Sequence, residues 1–186
     1  VVDELVKAGQ PVRALTIDPA RAALPDHVDV VKGNILRPET LAGAFDGIER
    51  MYLAPAPETA ADVAGLAVRS GVRYIVDLSG EPGSWWYDVA AAVERSGAAW
   101  THLWAGEFME NSLIWAEQVR TTGMVRDSHP GAANEPIAMA DIAAVAAVAL
   151  LEDGHTGKAY TLTGPETLTR AEMVRLIGEA LGVEPV

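Results

Sequence analysis

The sequence predicts an α/β fold built on a doubly wound parallel sheet. Short runs rich in valine, isoleucine and leucine alternate with segments of helical spacing, and glycine or proline punctuates each change. Strands that alternate with helices pair in parallel, and their right-handed crossovers place helices on both faces of the sheet. The chain has 186 residues, 49% of them hydrophobic, which suits a single globular domain.

In the first half of the chain this alternation predicts five strands. A helix over residues 1–8 ends at Gly9, a common helix-terminating residue type. The strands are predicted over residues 11–16, 28–33, 50–54, 73–78 and 100–104. The helices between them are predicted over residues 19–24, 38–45, 58–70 and 86–95.

After Gly106 the alternation loosens. The remaining pattern predicts a polar loop over residues 121–136 and one strand over residues 158–163. Helices are predicted over residues 108–122, 139–151 and 169–181. We therefore expect the C-terminal third to form a cap on the same domain.

Composition and charge exclude several function classes. The formal net charge of −12 disfavours nucleic-acid partners, because an acidic surface repels phosphates. The absence of cysteine excludes disulfides, Cys-ligated metals and thiol nucleophiles. The histidines show no metal-binding spacing, so we expect no metal site. No apolar run approaches the ~18 residues of a membrane span and no secretory signal is visible, so we expect a cytoplasmic protein without a membrane partner.

Several segments, taken in order, resemble one known family, the NmrA-like atypical short-chain dehydrogenase/reductases that bind NAD(P). Residues 67–79 are similar to its fifth-strand pattern A-x-x-x-G-V-x-x-I-V-x-L-S, and residues 104–111 are similar to its substrate-side R-P-G-x-F-M-E-N. The other similar segments are residues 12–16, 18–21, 30–34, 141–143 and 160–166. The likeness is collinear and covers nearly the whole chain.

The resemblance implies a Rossmann-like fold whose first strand and G-x-x-G-x-x-G phosphate turn are absent from this sequence. Residues 1–8 would continue the helix that follows that turn, whose backbone N–H groups meet the pyrophosphate. Within a single domain over residues 1–186, we expect a nucleotide-binding core over residues 1–106 and a small substrate-side cap over residues 107–186.

The resemblance also implies cofactor contacts after the first two strands of this chain. Thr16 and Ile17 end the first strand, where the family commonly has an arginine at the Ile17 position that pairs with the 2′-phosphate of NADP. Isoleucine offers no donor, so the preference between NAD and NADP stays open. Asn34, followed by Ile35, stands where the family has an acid that meets the adenine; a turn residue that closes the strand is the alternative.

Two later strand ends complete the expected cofactor site. Leu53, Ala54 and Pro55 lie where the family's backbone passes the nicotinamide ribose. Ser79 lies where a hydroxyl can approach the nicotinamide or the substrate, although serine before glycine is also an ordinary turn residue.

The tyrosine–lysine pair of ordinary short-chain reductases is missing. No lysine follows a tyrosine by four residues, so Tyr-x-x-x-Lys is absent. Tyr87 could donate a proton by itself or simply anchor the start of its helix. Glu107 is the second candidate acid, because it lies between aromatic residues of the expected cleft; a side chain that points to solvent is the alternative. His102 shares one predicted strand face with Trp100 and Trp104, directed either to that cleft or to the core.

Large apolar side chains are expected to bind the substrate, with core packing as the alternative. These residues, together with one amide side chain, are Trp86, Trp104, Phe108, Met109 and Asn111. The family's Arg-Pro is replaced by Trp104 and Ala105, which indicates an altered pocket.

We therefore expect an NAD(P)-dependent oxidoreductase of the atypical short-chain type that acts on a small carbonyl, enone or quinone-like molecule. A homodimer is the expected assembly. Two alternatives stay open on the same fold: a non-catalytic regulator that senses the NAD(P) redox state, and a non-redox cyclase or isomerase. The missing tyrosine and lysine are tolerable if substrate or water supplies the proton.

Overall fold

The expected α/β architecture is confirmed by the structure, a computed structural model that describes residues 1–182. The strands are β1 (Arg13–Thr16), β2 (Asp29–Lys32), β3 (Arg50–Leu53), β4 (Tyr74–Ser79), β5 (Ala99–Ala105), β6 (Ala133–Asn134), β7 (Lys158–Leu162) and β8 (Leu168–Thr169). The α-helices are α1 (Val2–Lys7), α2 (Ala60–Arg69), α3 (Tyr87–Ser96), α4 (Ala116–Thr122), α5 (Met139–Leu151) and α6 (Arg170–Leu181).

The parallel strands that carry the fold form two sheets. Strand β1 pairs in parallel with β2, and the second sheet has the order β3-β4-β5-β7. In the second sheet Leu53 lies opposite Asp77, and Asp77 lies opposite His102. Because paired parallel strands run the same way, β3, β4 and β5 all end at one edge, where ligands bind in folds of this class.

A break separates the two sheets. Ala14 and Leu15 of β1 and Met51 and Leu53 of β3 line one cavity of about 440 Å³. Strand β1 is hydrogen-bonded to β2, and β3 is hydrogen-bonded to β4, so β1 and β3 belong to different sheets. Within residues 1–182, β1 and β3 are therefore edge strands of their sheets.

Helices α2 and α3 pack against the β3-β4-β5-β7 sheet, and together they form the main hydrophobic core. Val63 on α2, Val89 and Val93 on α3, and Ile75 on β4 are all at most 1% exposed. Val89 and Val93 are four residues apart, so they share one helix face. Strand β4 is buried along its whole length, as expected of a central parallel strand covered on both faces.

The described chain folds as two compact units. The first unit comprises residues Val1–Trp104 and Ala143–Tyr160, and the second comprises residues Ala105–Ile142 and the described residues from Thr161 onward. The expected boundary between a nucleotide-binding core and a cap at residue 106 stays a prediction. None of the helices within residues 1–182 has both the length and the apolar character needed to cross a membrane.

Four local predictions are wrong. The helices predicted over residues 19–24 and 38–45 are only 3-10 turns at Pro19–Arg21 and Pro38–Thr40. Gly43, with a φ of +73°, lies in the left-handed region and interrupts the second of these predicted helices. The helix predicted over residues 108–122 is a 3-10 segment followed by α4, and the loop predicted over residues 121–136 contains β6, which pairs antiparallel with β8.

Ile75 should be one of the costliest core residues to truncate. Replacement of this fully buried side chain by alanine, Ile75→Ala, should lower the free energy of unfolding by about 2–5 kcal/mol, and Ile75→Val by about 1 kcal/mol, because each leaves a cavity that scales with the lost atoms. Val148, which is 41% exposed, provides the control, and Val148→Ala should change stability by less than about 0.5 kcal/mol. Urea denaturation measures all three, and similar effects of Ile75→Ala and Val148→Ala would contradict this core assignment.

Candidate functional site

The first candidate site is the cavity between the two sheets. Residues that follow or end three strands line it together: Thr16, Ile17, Asn34, Ile35, Leu53 and Ala54. Pro55 follows directly in the chain, whereas Ser79 is buried at the end of β4. The structure thus gathers most of the residues expected to bind the cofactor, although their roles stay predictions.

The turn after β2 is held tightly in place. The backbone N–H of Asn34 donates to the Thr40 hydroxyl at 2.9 Å, and the side-chain oxygen of Asn34 accepts from the Leu36 N–H at 2.9 Å. A Cβ atom at Gly33 would lie 2.7 Å from a terminal methyl group of Leu15, so a larger residue there would require that side chain to move. These bonds use the Asn34 amide oxygen, which leaves its NH₂ group as the donor available to a ligand.

The end of β1 offers little positive charge to a phosphate. Ile17 is 67% exposed and apolar. Arg13, on the same strand, donates to the Asp29 carboxylate at 2.6 Å and to the carbonyls of Ala44 at 3.3 Å and Asp46 at 2.8 Å. Its guanidinium is therefore held among these partners.

Tyr52 also lines the first cavity, from the middle of β3. Burial, and then the negative charge of Asp77, raises the pKa of Tyr52 to about 12. The hydroxyl therefore keeps its proton at physiological pH and can donate a hydrogen bond. Tyr52 carried no sequence signal of function, because the expected pattern required a lysine four residues later.

A second cavity of about 370 Å³ lies within the second unit. Four residues expected to act on or bind the substrate line it: Glu107, Phe108, Met109 and Asn111. The other expected residues do not: Tyr87, Trp86 and Trp104 belong to the first unit. Tyr87 is the first residue of α3.

The wall of the second cavity contains an ion pair that the sequence did not predict. Arg170 donates to the Asp127 carboxylate at 2.7 Å, and the indole N–H of Trp115 donates to the same carboxylate at 3.2 Å. The backbone N–H of His129, and then Arg170, hold the pKa of Asp127 below its usual value. Asp127 and Arg170 are 43 positions apart, so no local spacing could have linked them.

A buried polar pair occupies the centre of the second sheet. The His102 Nδ1 atom lies 2.7 Å from the Asp77 carboxylate, and its Nε2 atom lies 3.4 Å from Glu94 on α3. The Trp100 ring stacks on the imidazole with 4.0 Å between ring centres. Since Asp77 and His102 are at most 1% exposed, His102 belongs to the core and not to an open cleft.

Polar atoms remain beside this pair without partners. Among the described residues, Asp77 Oδ1, Ser79 Oγ and Trp104 Nε1 are buried and have no hydrogen-bond partner. Buried polar groups in native proteins are nearly always bonded to protein or to ordered water. Within residues 1–182, no cluster of three His, Cys, Asp or Glu side chains suits a metal ion.

Comparisons with known proteins identify reductases. The chain is 34% identical over 196 residues to the (4-alkanoyl-5-oxo-2,5-dihydrofuran-3-yl)methyl phosphate reductase of Streptomyces griseus, covering 98% of this chain and 69% of that protein. It is 31% identical over 198 residues to the NAD(P)H azoreductase of Xenophilus azovorans, with the same two coverages of 98% and 69%. No model of a protein family matches the chain.

Solved structures share the fold. The Citrobacter sp. triphenylmethane reductase complexed with NADP(H) superimposes with a TM-score of 0.84 at 20% identity, over 100% of this chain and 73% of that chain. An NADPH-dependent quinone oxidoreductase from Escherichia coli, complexed with NADPH, superimposes with a TM-score of 0.84 at 22% identity, over 100% and 72%. At these identities the likeness establishes the fold alone.

The buried pair should dominate the local stability of β4 and β5. Removing one partner by Asp77→Ala leaves the His102 ring without its acceptor in the core and should lower the free energy of unfolding by about 3 kcal/mol. Glu94 is 42% exposed and more distant from His102, so Glu94→Gln should cost less than about 1 kcal/mol. Urea denaturation measures both, and an effect of Asp77→Ala no larger than that of Glu94→Gln would contradict this assignment.

Proposed function

Because the chain belongs to the NmrA-like family of atypical short-chain dehydrogenase/reductases, which bind NAD(P), we propose that it reduces small conjugated acceptors such as quinone-like molecules with NAD(P)H. One observation carries the proposal: residues that end or follow β1, β2 and β3 meet in the lining of the first cavity, which also extends along β1 and β3. Ligands of doubly wound folds bind at such strand ends.

The residues of the first cavity fit the adenosine part of a dinucleotide. Asn34 has an amide NH₂ group free to donate to a ring nitrogen, and Ile17 and Ile35 provide apolar surface. Near the nicotinamide ribose, Leu53 and Ala54 would contribute backbone and shape. When bound, the dinucleotide supplies the hydride, so the protein has only to bind, orient and exclude water.

The second cavity fits the acceptor. Phe108, Met109 and Trp115 provide flat or adaptable apolar surface that excludes water. Asn111 donates to the Glu107 carboxylate at 2.9 Å, which fixes the position of that charge. For a neutral acceptor that needs a proton after hydride uptake, Tyr87 and Glu107 are our proposed donors, with water as the alternative.

A redox sensor is the second candidate function. The absence of Tyr-x-x-x-Lys favours it, because a sensor must bind the dinucleotide but needs no proton donor. Cofactor binding without turnover would support the sensor over the enzyme. The cytoplasmic location, the division into core and cap, and the homodimer stay proposals; light scattering of the purified protein checks the last.

Binding and turnover should both be measurable. We expect nicotinamide fluorescence to change on titration with NADH or NADPH, with dissociation constants of about 1 µM to 1 mM, and NADPH to be oxidised when menadione is added. Binding to neither dinucleotide would overturn the proposed function. Binding without oxidation across quinones and enones would favour the sensor.

Ile17 should control the choice between NADPH and NADH. Ile17→Arg places a guanidinium at the exposed end of β1, where it can pair with the 2′-phosphate, and should raise the affinity for NADPH relative to NADH about tenfold. The uncharged variant Ile17→Gln serves as the control and should leave the ratio within about twofold. Equal changes for both dinucleotides in Ile17→Arg would show that position 17 does not face the ribose.

A further inference from the structure

Three buried polar atoms on two neighbouring strands have no hydrogen-bond partner within residues 1–182. They are Asp77 Oδ1 and Ser79 Oγ on β4 and Trp104 Nε1 on β5. The side chains of Asp77 and Ser79 are 0% exposed, so neither reaches bulk solvent. A buried polar atom that forms no hydrogen bond costs free energy, and native proteins nearly always supply a partner for it. Each of the three atoms therefore requires a partner other than these residues.

Strand register places the three atoms on one face of the sheet. Asp77 and Ser79 are two residues apart on β4, so their side chains extend from the same face. Ser79 lies opposite Trp104, and Asp77 lies opposite His102. The rings of His102 and Trp104 are nearly parallel, with 6.5 Å between centres and 11° between planes. Glu94 of α3 lies 3.4 Å from His102, so α3 covers this face.

One water molecule matches the chemistry of the three atoms. The indole N–H of Trp104 can only donate, the Ser79 hydroxyl donates and accepts, and a carboxyl oxygen of Asp77 accepts or, when protonated, donates. A water molecule has two hydrogens and two lone pairs, so it can bond to all three. Three hydrogen bonds are the usual number for a buried water molecule. A metal ion does not fit, because the indole N–H is not a ligand.

We propose that Asp77, Ser79 and Trp104 form a binding site for an ordered internal water molecule between β4 and β5. This site lies outside the proposed reductase function and does not depend on it. Ser79 is the last residue of β4, so the water fixes a hydroxyl at the edge where ligands of doubly wound folds bind.

The water completes the hydrogen bonding of the buried pair. His102 Nδ1 lies 2.7 Å from Asp77 Oδ2, and His102 Nε2 lies 3.4 Å from Glu94, which leaves Asp77 Oδ1 as the unbonded oxygen. A buried carboxyl group is tolerated only when further hydrogen bonds satisfy its remaining lone pairs. The water meets this need whichever member of the pair carries the shared proton.

Nuclear magnetic resonance of tryptophan-labelled protein tests the site in solution. The chain has five tryptophans, and Trp104→Phe identifies the indole N–H signal of Trp104 by its loss. In the native protein that signal should show an Overhauser cross-peak to water, with the sign of a long-lived bound molecule. The indole N–H of Trp115, which donates to Asp127 at 3.2 Å, is the internal reference and should show none. No cross-peak at Trp104, or equal cross-peaks at both indoles, would overturn the inference.

Ser79→Ala separates a bound water molecule from the serine hydroxyl. Hydroxyl hydrogens exchange with solvent, so the Ser79 hydroxyl can itself carry a water signal to the Trp104 indole. In Ser79→Ala the cross-peak should remain, because Asp77 and Trp104 still bind the water. Its disappearance from a variant with an otherwise native spectrum would assign the signal to the hydroxyl and overturn the inference.

The stability of Ser79→Ala provides an independent readout. Because Ser79 Oγ is bonded to the water, its removal should lower the urea midpoint. Ser96→Ala is the matched control, since Ser96 Oγ donates to the Val93 carbonyl at 2.6 Å and accepts from the Ala98 N–H at 3.3 Å. Both variants should shift the midpoint in the same direction. An unchanged or higher midpoint for Ser79→Ala would show that its hydroxyl has no partner, which contradicts the water site.

Discussion

The parallel pairing of short strands is the constraint on which the rest of this structure depends. Because β3, β4 and β5 run the same way, the connections from β3 to β4 and from β4 to β5 must be crossovers, and the crossover helices α2 and α3 cover the sheet. The same geometry makes residues far apart in sequence converge: Ile17, Asn34 and Ala54 line one cavity because each lies within two residues of the end of a strand. The site is thus a consequence of strand direction and not of any local motif.

Local signals predicted most of the fold. Short apolar runs marked β1 to β5, since the signal of each strand lies within a few residues, although only β4 is buried along its whole length. Prediction failed where structure depends on distant partners. Strand β6 has two residues and exists only because it pairs with β8, and a two-residue strand has no periodicity to detect.

The sequence likewise predicted some residues of the candidate site and missed others. Thr16, Asn34 and Leu53 could be placed because strand ends are visible in the sequence. Asp77 and His102 could not be paired, since strand register is set by tertiary packing. The pairing of Arg170 with Asp127 was equally hidden, because the two residues are 43 positions apart in the chain.

A reductase of this design leaves the bond-making step to its dinucleotide and acts mainly by binding and orientation. The most direct test of that account uses NADPH deuterated at C4 on one face at a time, with an enone as acceptor, because conjugate reduction leaves the transferred hydrogen on carbon. Mass spectrometry should show deuterium in the product from one face and not from the other. Product without deuterium from either label, or no reduction above the rate without protein, would contradict hydride transfer by this protein.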